Sequence, residues 1–273
     1  MHHFGIIGWP LEHSFSAKYF AEKFLQDNVD ADYQLCPVQN REQISAAMQH
    51  FDGFNVTYPY KQTIISHLSA LDDIAQQIGA VNVVCQGIGY NTDWLGFSQS
   101  LSPLLTPSDR HALILGSGGV SKAVQFALNR MGILFTVVSR TPSTDCITYQ
   151  HIDEALLRQY QIIINCTPLG MYPYIDTYPD IPYHALSASH ILFDCVYNPT
   201  QTLFLQYGQQ VGARIKNGLD MLYIQADLAW EIWSRQLNIN LYSTQDSTFC
   251  NNCSIYRIYF ASSAKYNKIR EAK

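Results

Sequence analysis

The sequence predicts an α/β protein, and three observations predict it. Short β-rich runs alternate with helical stretches, the pattern of a largely parallel sheet covered on both faces. A polar, proline-marked break at Ser102-Pro103 and Thr106-Pro107-Ser108-Asp109 separates two such series. Within the second series, one strand runs directly into a glycine-rich turn and a helix at Leu113–Ala123.

In chain order, residues 4–8 read as a strand ending at Gly8-Trp9-Pro10, followed by a helix over 17–26. A second strand covers 32–38 and an amphipathic helix 41–50. A third strand at 53–58 is stopped by Pro59, and the pattern predicts a helix from Tyr60. Residues 80–85 and 87–91 form two short strands around a glycine-containing turn, and 93–101 returns to helix. After the break come a strand at 111–115, a helix at 120–131, a strand at 134–139, and strands at 162–166 and 191–196. Helical spacing of Leu219, Leu222, Ala226, Ala229, Trp230 and Trp233 predicts a final helix ending near Asn238. Residues 243–273 are polar, then aromatic, then basic, and read as a poorly ordered tail. Their lone Cys250-Asn251-Asn252-Cys253 supplies only half of a structural zinc set, so no metal is expected.

Composition narrows the classes of function. Of 273 residues, 47% are apolar, enough for a sizeable core. Lys and Arg number 17 against 22 Asp and Glu, which argues against a partner rich in phosphates, nucleic acid or an anionic membrane. No apolar run approaches the ~18 residues of a membrane span, and the N-terminus lacks signal-peptide features. Five of the seven cysteines fall in apolar segments, as buried free thiols of a reducing cytoplasm would.

The glycine-rich run is Leu113-Ile114-Leu115-Gly116-Ser117-Gly118-Gly119-Val120-Ser121. Glycines admit a pyrophosphate close to the backbone, and the free N–H groups of the helix end stabilise its charge. An acid about 20 residues later would bind the ribose hydroxyl of NAD, whereas an Arg suits the 2′-phosphate of NADP. Here the next strand ends Ser139-Arg140-Thr141, which favours NADP.

Three further segments carry candidate chemistry. Glu12-His13-Ser14-Phe15-Ser16 sets two hydroxyls at a helix start, a cradle for a carboxylate as well as a cap. Gly53-Phe54-Asn55-Val56-Thr57-Tyr58-Pro59-Tyr60-Lys61 puts a lysine in the first turn of the predicted helix, where a cation opposes the dipole. Tyr90-Asn91-Thr92-Asp93 places a carboxylate where it caps the next helix or pairs with Lys61 across a cleft.

With Gly79-Ala80-Val81-Asn82, Asn165-Cys166-Thr167-Pro168-Leu169-Gly170-Met171, Asp194-Cys195-Val196-Tyr197-Asn198-Pro199 and the run 217–226, these motifs resemble the shikimate dehydrogenase family over about residues 4–233. The resemblance implies NADPH-dependent reduction of 3-dehydroshikimate to shikimate in chorismate and aromatic amino-acid biosynthesis. It implies a substrate domain (1–97 with 218–242), a Rossmann-type domain (98–217) and a cleft between them. Lys61 and Asp93 match the catalytic pair, with Lys61 the proton donor. Ser14 and Ser16 would bind the substrate carboxylate. Thr57, Asn82 and Gln225 would join the pair on the ring, with Tyr197 nearby. Gly116, Ser117, Gly118, Gly119 and Val120 would cradle the pyrophosphate, Ser139, Arg140 and Thr141 the 2′-phosphate, and Gly218 or Met221 the nicotinamide.

Two departures stand out: Ser139 and Thr144 occupy places where the family often has Asn and a second Arg, which weakens the NADP preference. Two alternatives follow. One is a quinate/shikimate dehydrogenase with relaxed NAD or NADP use, against which Ser16 counts, since quinate-accepting relatives carry Thr there. The other is a non-catalytic nucleotide-binding regulator, against which the retained Lys61 and Asp93 count. The sequence does not fix the oligomeric state, and a monomer or homodimer is expected.

Overall fold

Two six-stranded sheets organise the chain. The structure, a computed structural model, describes residues 1–11 and 15–241. Ser14 and the predicted tail, with its cysteine pair, lie outside the described residues.

The first half contains β1 (His2–Gly8), α1 (Phe15–Gln26), β2 (Ala31–Pro37), α2 (Ile44–Met48), β3 (Gly53–Val56), β4 (Ala70–Leu71), α3 (Asp73–Ile78), β5 (Val83–Cys85), β6 (Ile88–Tyr90) and α4 (Asp93–Leu101). Its sheet has the order β2-β1-β3-β5-β6-β4. This sheet is mixed, not largely parallel as the alternation predicts: β5 runs antiparallel to both β3 and β6. The reason is local. Only Gln86 and Gly87 separate β5 from β6, both at positive φ (50° and 76°), and a two-residue turn of that kind closes an antiparallel hairpin.

Two predicted helices are also corrected. Residues 41–50 form a short 3-10 turn and the five-residue α2. The helix expected from Tyr60 is absent; Lys61 lies in a turn before a 3-10 helix at Thr63–His67. Thr63, Ile64 and Ile65 are β-branched and stiff at χ1, which disfavours an α-helix there. Lys61 therefore does not sit in the first turn of a helix of its own, and its position needs another explanation.

The second half contains β7 (His111–Leu115), α5 (Gly119–Met131), β8 (Leu134–Ser139), β9 (Cys146–Thr148), α6 (Glu154–Leu157), β10 (Ile162–Asn165), β11 (Ile191–Asp194), α7 (Leu203–Gln210), β12 (Arg214–Lys216) and α8 (Leu219–Gln236). All its strand pairs are parallel, in the order β12-β11-β10-β7-β8-β9. Read from the other edge this is the 3-2-1-4-5-6 order of the doubly wound dinucleotide fold. The order reverses between β7 and β10, and ligands of such sheets bind at the carboxyl ends of those strands.

One apolar core joins the halves. Leu95, Phe97 and Leu101 of α4 pack with Ala123, Val124 and Ala127 of α5, Phe193 of β11, and Met221 and Leu228 of α8. Further along α8, Ala226, Trp230 and Trp233 pack instead with Phe4, Phe20 and Phe24 of the first half. The helix α4 continues through residues 97 and 98, so the chain passes between the halves within it. Of the described cysteines only Cys85 is fully buried; Cys36, Cys146, Cys166 and Cys195 are half-buried, a correction to the expectation of uniformly buried thiols.

Asp194 closes β11 as a fully buried carboxyl. It accepts from the Thr202 hydroxyl (2.5 Å), the Val196 N–H (3.0 Å) and the Asn165 amide (3.0 Å). Burial outweighs these donors and pushes its pKa from 3.8 to about 7. The folded state therefore holds a proton that the unfolded chain releases. The stability it contributes is full below pH 3.8 and is lost as pH rises through about 7. Asp194→Asn is expected to flatten this part of the pH dependence, read as urea midpoints at about pH 4 and about pH 8. A slope identical to the parent's would contradict the assignment.

Candidate active site

The site is built from side chains that satisfy one another. Lys61 Nζ lies 2.7 Å from Asp93 Oδ2, with the two side chains 14% and 5% exposed. Asp93 is the first residue of α4, not its cap; Thr92 takes the cap position. A carboxylate in the first helical turn is favoured by the helix dipole.

Asn82 sits under the pair. Its side-chain amide donates toward Asp93 Oδ1 (3.0 Å) and Thr92 Oγ1 (2.9 Å), with Gln225 Oε1 at 3.2 Å. Its carbonyl oxygen accepts from the Thr92 N–H at 2.7 Å. Asn91 accepts from the Asp93 N–H (3.1 Å) and donates to the Ala80 carbonyl (2.9 Å). The Val81 N–H then donates to the Lys61 carbonyl at 2.7 Å, so one network fixes both partners of the ion pair.

The network continues to the first helix. The Asn55 amide donates to the Asn82 carbonyl (3.3 Å), and the Tyr33 hydroxyl donates to Asn55 Oδ1 (2.8 Å). Tyr33 also hydrogen-bonds Ser16, and burial keeps its phenol neutral by raising the pKa. Ser16 is thus buried and linked through Tyr33, Asn55 and Asn82 to the ion pair. Tyr197 meets the same helix, its ring 6.4 Å from that of Phe15.

Beside the pair opens a cavity of about 730 Å³ whose wall includes Thr57, Lys61, the turn 116–120 and the strand end 139–141. Gly116 takes φ +106°, a conformation that side chains rarely adopt, which lets the chain turn sharply after β7. A Cβ on Gly119 would fall 2.8 Å from Lys61 Cβ, so the glycine turn and the lysine loop are in direct contact. A Cβ on Gly118 would meet nothing within 4 Å, leaving its backbone face open to the cavity. Ser139 Oγ accepts from the Thr141 N–H and lies 3.3 Å from Ser117 Oγ, tying the second strand end to the turn. Arg140 is exposed at the tip of β8.

The profile of the shikimate dehydrogenase substrate-binding domain matches residues 6–84. A shikimate dehydrogenase (NADP(+)) of Bacillus cereus (strain AH187) is 35% identical over 256 residues, covering 85% of this chain and 92% of that protein. The chain belongs to the shikimate dehydrogenase family. Shikimate dehydrogenase from Aquifex aeolicus superposes with a TM-score of 0.78 at 30% identity, covering 86% of this chain and 93% of the other. Shikimate 5-dehydrogenase from Thermus thermophilus, solved with NADP(H) and shikimate, gives 0.76 at 29% identity over 86% and 94%.

Not every residue singled out for this family from the sequence meets at the cavity. Gly218 packs against the Cys195 carbonyl and Met221 is buried in the shared core; neither is in the cavity wall. Ser16, Asn82, Asp93, Tyr197 and Gln225 stand behind it as well, Asp93 reaching it through Lys61. Ser14 lies outside the described residues. Conversely, Tyr33, Asn55, Asn91 and Thr92 hold the site without having been given roles. Asn91 alone carries a local signal, an Asx turn two residues before Asp93. Tyr149 was missed altogether: it lines the cavity, and its buried hydroxyl has no hydrogen-bond partner among the described residues.

The contact at Gly119 yields a test. Gly118→Ala is expected to unfold within about 0.5 kcal/mol of the parent in urea. Gly119→Ala should cost ~1–3 kcal/mol, because its methyl group overpacks the Lys61 stem. Equal midpoints for the two variants would contradict the close approach.

Proposed function

We propose that this chain catalyses the reversible, NADPH-dependent reduction of 3-dehydroshikimate to shikimate. The observation that carries this is the Lys61–Asp93 pair, 2.7 Å apart, with Lys61 in the same cavity wall as the glycine turn of a doubly wound sheet. An acid and a dinucleotide cradle in contact suit the reduction of a carbonyl.

The residues present fit the cofactor. Open backbone at Gly118 and the N-terminus of α5 suit a pyrophosphate, with Gly116, Ser117, Gly119 and Val120 completing the cradle. The exposed guanidinium of Arg140, with Ser139 and Thr141, suits a 2′-phosphate. The unpartnered hydroxyl of Tyr149, whose pKa burial raises to about 12, remains a neutral donor and acceptor for the same ligand. NADPH bound there supplies hydride to the carbonyl carbon.

Lys61 gives its proton to the carbonyl oxygen as charge develops on it, and takes it back in the oxidation direction. Asp93 holds the ammonium in position, and Asn82 holds Asp93. Ser14 and Ser16 bind the substrate carboxylate; Thr57, Asn82, Asp93 and Gln225 meet the ring oxygens, with Tyr197 beside them. Gly218 and Met221 shape the cleft from behind, through the Cys195 carbonyl and the shared core. The same reading places the enzyme in the cytoplasm, as a monomer or homodimer; among the described residues no helix is long and apolar enough to cross a membrane.

Steady-state oxidation of shikimate and quinate, each with NADP and NAD, tests the proposal. Shikimate with NADP is expected to be the fastest pair; no turnover with any pair would overturn it. Lys61→Ala should lower kcat roughly a hundred- to ten-thousand-fold with little change in KM for shikimate. Arg140→Ala should raise KM for NADPH more than for NADH, and equal changes would remove the 2′-phosphate contact.

A further inference from the structure

Two nucleophilic side chains at the cleft take no part in this chemistry. Cys166 follows β10 and Cys195 follows β11, one step beyond the in-register pair Asn165–Asp194. The Cys195 N–H still donates to the Asn165 carbonyl at 2.9 Å, so the ladder holds the two cysteines side by side. Their sulfurs are 3.8 Å apart and share a hydrogen bond. Neighbouring strands lie about 4.8 Å apart, inside the Cα range of roughly 4.4–6.8 Å that a disulfide spans. A bond of about 2.05 Å thus needs only a modest approach of the two strand ends.

Access and consequence are both built in. Cys166 lines the cavity, so a small oxidant entering the cleft reaches it. The Cys166 carbonyl is 3.2 Å from where a Cβ on Gly116 would lie, and the Cys195 carbonyl is 2.4 Å from the same place on Gly218. Drawing the sulfurs together therefore moves the backbone under the pyrophosphate turn and under the start of α8 at once.

We propose that Cys166 and Cys195 form a reversible dithiol–disulfide site that a peroxide oxidises and that slows turnover when oxidised. The Cys166 thiol gives up its proton, and the thiolate attacks one peroxide oxygen, breaking the O–O bond to give a sulfenic acid and a hydroxide that takes up that proton and leaves as water. The Cys195 sulfur then attacks the Cys166 sulfur, forming the S–S bond and expelling the sulfenic oxygen as hydroxide. That hydroxide takes the Cys195 proton and leaves as water. Two thiols are oxidised by two electrons, and one hydrogen peroxide becomes two waters. The roles follow from the surroundings: the hydrogen bond with Cys166, together with burial, raises the Cys195 pKa and leaves it the resolving partner.

The covalent step stands apart from the reaction assigned above; only its effect on turnover rests on that assignment. The test treats the full-length wild-type protein with hydrogen peroxide and maps its peptides without reduction. A Cys166–Cys195 linked peptide that dithiothreitol abolishes is expected, distinguishable from any Cys250–Cys253 link. Formation of the link should lower shikimate oxidation roughly tenfold, the effect of ~1.4 kcal/mol on a barrier, with recovery on reduction. Cys195→Ser should yield no linked peptide. Cys166→Ser, measured against its own reduced activity, should lose no activity that dithiothreitol restores. Absence of the linked peptide overturns the site, and a complete link with unchanged turnover overturns its effect. A reduced protein inactive on every substrate faults the assigned reaction and leaves the peptide map to decide the site.

Discussion

Burying an ammonium against a carboxylate is costly, because both lose water and their attraction repays the loss only when the remaining hydrogen bonds are made. At Asp93 they are made by Asn82, with Asn91 and Thr92 bracing it, and the groups come from three places in the chain: Lys61 after β3, Asn82 before β5, and Asn91-Thr92-Asp93 where β6 passes into α4. The pair therefore forms only when the central strands β3 and β5 of the first sheet, the start of α4 and α8 are all in place. Gly119 adds the second half of the molecule to that condition, since the Lys61 stem rests on it. The geometry of the proposed proton transfer and that of the proposed nucleotide cradle are one geometry.

What the sequence makes legible follows from how local each signal is. The run from Leu113 through Ser121 contains its own strand, turn and helix start, and it folds as it reads. The same holds for α4, whose bounds match the periodicity. The mixed character of the first sheet was hidden because alternation of strand and helix overrode a short signal, the two-residue turn at Gln86-Gly87. The missing helix after Pro59 shows the reverse: the β-branched run 63–65 overrides a helix start signal. Strands of two or three residues such as β4, β9 and β12 exist because a neighbouring strand offers them hydrogen bonds, and no residue pattern marks them.

In the site, the residues proposed to meet ligands stand in dense motifs and are readable, whereas residues that hold them are scattered. Tyr33 and Asn55 link Ser16 to Asn82 from separate strands, and only the fold brings them into line. Tyr149 escaped because nothing near it in the chain speaks of a nucleotide; its significance is a hydroxyl left unpaired in the cavity wall. The two cysteines share that character. Each lies in a motif noted for other reasons, and their adjacency arises from the register of β10 and β11.

If the ammonium and carboxylate act as one unit, their removal should not be additive. A kinetic double-mutant cycle on kcat for shikimate oxidation, with Lys61→Ala, Asp93→Ala and the double variant, tests this most directly. The double variant is expected to be no slower than the slower single variant. Losses that multiply would mean that the two groups act independently and that their contact is incidental to the chemistry.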